Sequence, residues 1–155
     1  MNVVQDPWDS RRFGWTGIDE DGSLCGVAMI SPSGVDTFSS TWRAEPEVGW
    51  SGNPVWSGNK ALVTTTRPMS TLSEYEGGLT LEEEKLRRQK VCLKIFNNNN
   101  VWSSSAERLL TQRPLMPPVQ SVPLCNVATC MASHPLTDDL FCGTEDGIIC
   151  VYKNK

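Results

Sequence analysis

The sequence predicts an all-β fold of short antiparallel strands joined by tight turns, with one short inserted helix. Three stretches carry that reading. In Leu124 to Lys155, apolar runs are punctuated by His134-Pro135 and then by Gly143-Thr144-Glu145-Asp146-Gly147. Asp-Gly between alternating hydrophobic residues is a strong hairpin signal, because such turns need positive φ values that Asp and Gly tolerate. Pro135 ends the run before it, since proline has no N–H to give to a strand ladder. Near the start the same parts recur in the same order: Asp6-Pro7, a polar turn, Phe13 to Gly17, then Asp19-Glu20-Asp21-Gly22 and an apolar run. A looser third copy runs from Val48-Gly49-Trp50 through Asn53-Pro54 to Ala61 to Thr66, with Val91 to Phe96 as its outgoing strand.

This succession of an apolar strand, a Pro turn, a strand ending in Gly, an Asp-Gly turn and a strand ending in an aromatic residue resembles the WD-repeat β-propeller family. Tyr152 and Lys153 stand where that family usually has Trp and Asp. The matching positions are architectural: Pro7, Gly17, Asp21 and Gly22 in the first unit, Pro54 in the second, and Pro135, Gly143, Asp146, Gly147 and Tyr152 in the last. The resemblance implies β-propeller-like blades: a first unit over 1–46, a second over 47–112 with a helical insertion at 80–90, a Pro-rich connection over 113–123, and a third unit over 124–155. Because propellers have typically about 4 to 8 blades, a chain with about three is expected to be a partial propeller. Its remaining blades would come from a longer parent chain, a second copy or a different subunit. The function the resemblance implies is a non-catalytic protein–protein interaction scaffold within a larger intracellular assembly.

Taken in order, the first unit opens on a short incoming strand, Asn2 to Gln5, and a turn at Asp6-Pro7-Trp8. That tripeptide also matches the short peptide bound by clathrin-adaptor appendage domains. Residues 31–60 are rich in Ser, Gly and Pro and carry Trp42, Trp50 and Trp56. Large aromatic rings are seldom left in water, so these three are expected either to pack between blades or to form a partner-contact face. Residues 67–79 read as a loop. Thr80 to Lys90 reads as a helix, with Thr80 and Glu83 as a capping box, acids in the first turn and bases in the last. Its apolar residues, Leu81 and Leu86, are too few for a buried stripe, so it is expected to be an exposed insertion. Val91 to Phe96 alternates as a strand, and Asn97 to Asn100 follows as a turn. Residues 104–111 fit either a short capped helix or an outer strand, and Arg113 to Pro123 reads as an extended linker.

Composition narrows the function. A net charge of −4 over 155 residues argues against direct nucleic-acid binding, which needs a basic face to neutralise phosphates. No apolar run approaches the length of a membrane span, and no membrane partner is expected. The six cysteines, Cys25, Cys92, Cys125, Cys130, Cys142 and Cys150, have no Cys-x-x-Cys spacing. Four of them sit inside apolar strand runs, where a free Cys reads as a small buried hydrophobe, and the thiols are expected to be reduced. An alternative reading is a small Cys/His metal-stabilised domain that binds nucleic acid, with Cys125, Cys130, His134 and Cys142 as ligands. An odd separation places Cys125 and Cys130 on opposite faces of a continuous strand, which opposes it. His134 is the only histidine, so a catalytic triad would have to be built on it. Neither a phosphate-binding glycine loop nor a dinucleotide fingerprint is present. No catalytic residue, cofactor or metal is expected.

Overall fold

The computed structural model describes residues 1–30, 37–57, 61–69, 80–97 and 120–153. Of the turn expected at Asn97 to Asn100, residues 98–100 lie outside the described residues, as do 70–79 of the expected loop, the element at 104–111 and residues 113–119 of the linker. The fold is all-β, with three antiparallel sheets and one short helix among the described residues.

The first sheet is a four-stranded meander of β1 (Asn2–Asp6), β2 (Asp9–Asp19), β3 (Gly22–Ile30) and β4 (Thr37–Arg43). At its first turn, Asp6 pairs with Asp9, and the Asp6 carboxylate accepts the Trp8 N–H at 2.8 Å. At its second, Asp19 pairs with Gly22; Asp19 accepts the Asp21 N–H at 2.9 Å, and Gly22 takes φ +120°. β4 falls in the Ser- and Trp-bearing stretch that had shown no strand pattern.

The second sheet holds β5 (Val48–Trp50), β6 (Val55–Trp56), β7 (Ala61–Pro68), β8 (Cys92–Asn97) and β9 (Gln120–Pro123). β5 and β6 both pair with β7, so they are one incoming strand broken by Ser51 to Pro54, which oppose only Thr64 and Thr65. Pro54 therefore sits in a bulge within the incoming strand, where its missing N–H leaves no ladder gap, and not in a turn between strands. β9 corrects the Pro-rich connection: residues 120–123 pair with β8. Pro123 is tolerated because it ends an edge strand.

Between β7 and β8 stands α1 (Leu81–Gln89), with its capping box formed by Thr80 and Glu83 and no buried residue. It is an exposed insertion, as its sparse apolar residues predict.

The third sheet is β10 (Ala128–Ser133), β11 (Leu140–Thr144) and β12 (Ile149–Tyr152), again a meander. The Asp-Gly turn is longer than the two-residue hairpin turn that Asp-Gly favours. Glu145, Asp146 and Gly147 make a three-residue loop closed by the Gly147 N–H on Thr144 O at 3.1 Å, and of these only Gly147 has positive φ, +82°. Asp146 keeps negative φ and uses its carboxylate to accept the Thr144 hydroxyl. In both Asp-Gly turns, therefore, glycine supplies the backbone freedom and a carboxylate supplies the acceptor for a nearby donor.

The sheets stack in chain order without closing a ring: β1 meets β6, and β6 meets β10. The middle sheet is buried on both sides, which explains why Ala61 to Thr66 reads as a continuous buried run. Leu62 and Phe96 pack with Cys25, Val27 and Trp56 toward the first sheet. Val63 and Leu93 pack with Ala128, Leu140 and Cys142 toward the third.

One surface contact makes a pH prediction. Arg43 clasps Asp19 through two parallel bonds of 2.6 Å each, and this fork holds the Asp19 carboxyl at about 2, below its ordinary 3.8. Its folded value is depressed, so its contribution is present above about pH 4 and is lost as pH falls toward about 2. A carbon NMR titration should place the Asp19 midpoint near 2, and Arg43→Ala should return it toward 3.8. An ordinary midpoint in the unaltered chain would mean that the fork does not persist in solution.

Candidate interaction surface

The three tryptophans singled out by the sequence line the seam between the first and second sheets. Trp56 is buried and donates its ring N–H to Val4 O at 3.0 Å. Trp50 donates to both Gly17 O and Leu24 O at 3.1 Å. Trp42 lies 6.1 Å from Trp50 and 5.2 Å from Phe96, ring centre to ring centre. These contacts are those of packing between blades, while Trp42 and Trp50 keep part of their surface exposed.

Beside them lies a polar centre that the sequence reading missed. Asp6 and Arg12 are only 1% and 5% exposed, the Asp6 carboxylate accepts from Arg12 Nε at 2.9 Å and from Nη2 at 2.7 Å, and the guanidinium lies 4.8 Å over the Trp56 ring. Asp6 is thus committed to the interior, and Asp6-Pro7-Trp8 is a turn, not a peptide presented for capture.

The remaining matched positions are structural. Pro7 is in the first turn. Gly17 lies within β2, two residues before that strand ends. Gly143 leaves room for the Cys130 sulfur, which a Cβ there would meet at 2.8 Å. Pro135 shapes a loop in which His134 Nδ1 accepts the N–H groups of Leu136 and Thr137, both at 3.2 Å. Tyr152 packs against the core between the second and third sheets, where burial and the neighbouring Cys150 push its hydroxyl up to about 12.

Apolar side chains also lie on the outer faces of the end sheets. On the first, side chains alternate across β2: Gly14 points at Leu62 in the seam, while Phe13 and Trp15 point the other way. Val3 stands opposite Trp15, and Ala28 opposite Phe13. Val3 is 62% exposed, Phe13 and Trp15 are half-buried, and none of the three belongs to either core cluster. On the third sheet, Phe141 stands opposite Ala132 and Val151. Ile149 and Val151 are 70% and 45% exposed. Alternation along Phe13-Gly14-Trp15 and Ile149 to Tyr152 was the available signal, but only sheet order tells which alternate face is covered.

Chemistry is sparse elsewhere. Cys25 and Cys142 are buried, Cys92 and Cys150 are half-buried, and Cys125 and Cys130 are exposed. Among the described residues no three His, Cys, Asp or Glu side chains are grouped to hold a metal ion, so Cys125, Cys130, His134 and Cys142 do not assemble the ligand set of the metal-stabilised alternative. No helix among the described residues is long and apolar enough to cross a membrane.

Fold and surface together define a class: an open stack of three blade-like sheets with an apolar face at each end. No protein-family model matches the chain, and neither does any curated protein or solved structure.

Proposed function

We propose that this chain is a non-catalytic, intracellular protein–protein interaction scaffold of the WD-repeat propeller type, whose end sheets stack against blades supplied by another protein subunit. The observation that carries the reading is the contrast between the middle sheet, buried on both sides, and the end sheets, each with an apolar outer face. Repeat units that cannot bury their faces alone are stabilised by neighbours, and contiguous exposed apolar surface marks an interaction site. With a net charge of −4, the chain suits an apolar protein surface better than a polyanion.

Light scattering on the purified chain tests this. The expected result is a mass above that of the monomer, or aggregation without a cooperative transition. The pair Trp15→Lys and Val151→Lys should restore a monomer, since a charge on each outer face would face water in the monomer but be trapped in a stack. A cooperatively unfolding monomer, unchanged by the two substitutions, would overturn the proposal.

A further inference from the structure

Cys125, in the loop after β9, and Cys150, in β12, place their sulfurs 3.3 Å apart as free thiols. A disulfide needs them at about 2.05 Å, so the pair is a short side-chain adjustment from bonding. Their surroundings differ from those of the other cysteines. Cys25 and Cys142 are buried, the Cys92 thiol donates to Gln89 O at 3.0 Å, and exposed Cys130 has the Thr129 hydroxyl beside it at 4.0 Å.

Cys125 also lines a groove of about 490 Å³ between α1, the end of β7 and the loop before β10. Arg67, Arg87 and Arg88 line it too, with Glu84 and Glu145. Arg88 is engaged by Glu84 at 3.3 Å. Among the described residues Arg67 and Arg87 have no ion-pair partner, so the groove offers cationic groups to an anionic molecule arriving beside an accessible thiol.

We propose that Cys125 and Cys150 form a thiol–disulfide exchange site that reacts with an anionic low-molecular-weight disulfide of the glutathione disulfide class. The Cys125 thiolate attacks one sulfur of the small disulfide, whose S–S bond breaks; one glutathione leaves as thiolate and takes up the proton that Cys125 gave to solvent. Cys150, deprotonated in turn, attacks the Cys125 sulfur of the mixed disulfide, and the second glutathione leaves. Two protein thiols are oxidised to one disulfide, and one glutathione disulfide is reduced to two glutathiones. The order of attack follows from access: Cys125 is exposed and lines the groove, whereas Cys150 is half-buried and does not, so Cys125 meets the incoming disulfide first. The resulting link ties the entry of the third sheet to its outermost strand.

The test is incubation of the full chain with glutathione disulfide, followed by alkylation and peptide mapping. The expected product is a Cys125–Cys150 crosslink with Cys25 and Cys142 still reduced. Cys150→Ser should stop at a glutathione adduct on Cys125, and Cys125→Ser should abolish the crosslink. Arg67→Gln with Arg87→Gln should slow the reaction severalfold with glutathione disulfide but not with neutral hydroxyethyl disulfide. The proposal is overturned if Cys125 and Cys150 stay reduced while Cys130 takes up glutathione. A rate changed by the same factor with both oxidants, or with neither, relative to the unaltered chain would overturn the groove's part in it.

Discussion

Replacing Asp6 by Ala is expected to lower the unfolding free energy by about 3–5 kcal/mol, the range seen when one partner of a buried ion pair is removed. Both groups of this pair are nearly inaccessible, so water does little to screen them. The carboxylate does two jobs: one oxygen caps the Pro7-Trp8 turn through the Trp8 N–H, and the other holds the Arg12 guanidinium through Nε and Nη2. Without it, Arg12 keeps its position over the Trp56 ring but loses its carboxylate in the seam between two sheets. Asp6→Asn retains an oxygen for the turn and removes the charge, so its loss should be smaller than that of the Ala variant. Urea unfolding measures both. A loss under about 1 kcal/mol for Asp6→Ala, the range of surface pairs, would show that Arg12 can swing out to water and that the seam is looser than its packing implies.

The same residue shows where sequence reasoning stopped. Asp6 before Pro7 is legible as a turn, because an Asp side chain folds back on the N–H two residues on. That its second oxygen meets Arg12 depends on the register of β1 against β2, with Asp6 opposite Asp9, and on the second sheet lying over both. Turns with Gly at a positive-φ position, at Gly22 and Gly147, were legible because only local backbone geometry is at stake. β4 was not: Thr37 to Ser40 offers no apolar alternation, and the strand exists because β3 beside it presents an unpaired edge. β9 was hidden by Pro123 at its end and by the prolines that precede it in the sequence. The interaction surface was half legible. Phe13 and Trp15 visibly share a face, but whether that face or the opposite one is covered is decided by which side the next sheet packs on.

Phe96→Ala is expected to cost about 3–5 kcal/mol, as for other fully buried aromatic truncations. Phe96 is 0% exposed, pairs across the ladder with Leu62, and carries Trp42 at 5.2 Å; its loss leaves a cavity in the seam between the first and second sheets that strands paired on both sides cannot collapse to fill. Leu93→Ala, in the opposite seam and 1% exposed, should cost about 2–5 kcal/mol. The pair tests more than packing. Every described tryptophan lies in the first two sheets or the turn between β1 and β2, and three of them line the seam between those sheets, so tryptophan fluorescence reports on the first two sheets while far-ultraviolet circular dichroism follows all three. If the stack unfolds as one unit, the two probes should report a single midpoint in each variant. If neighbouring sheets are coupled only through their seams, as in repeat arrays, Phe96→Ala should separate the two midpoints with fluorescence falling first, and Leu93→Ala should separate them in the opposite order. Coincident midpoints in both variants would mean that β1, β6 and β10, which meet in succession, couple the sheets strongly enough that neither seam can open alone.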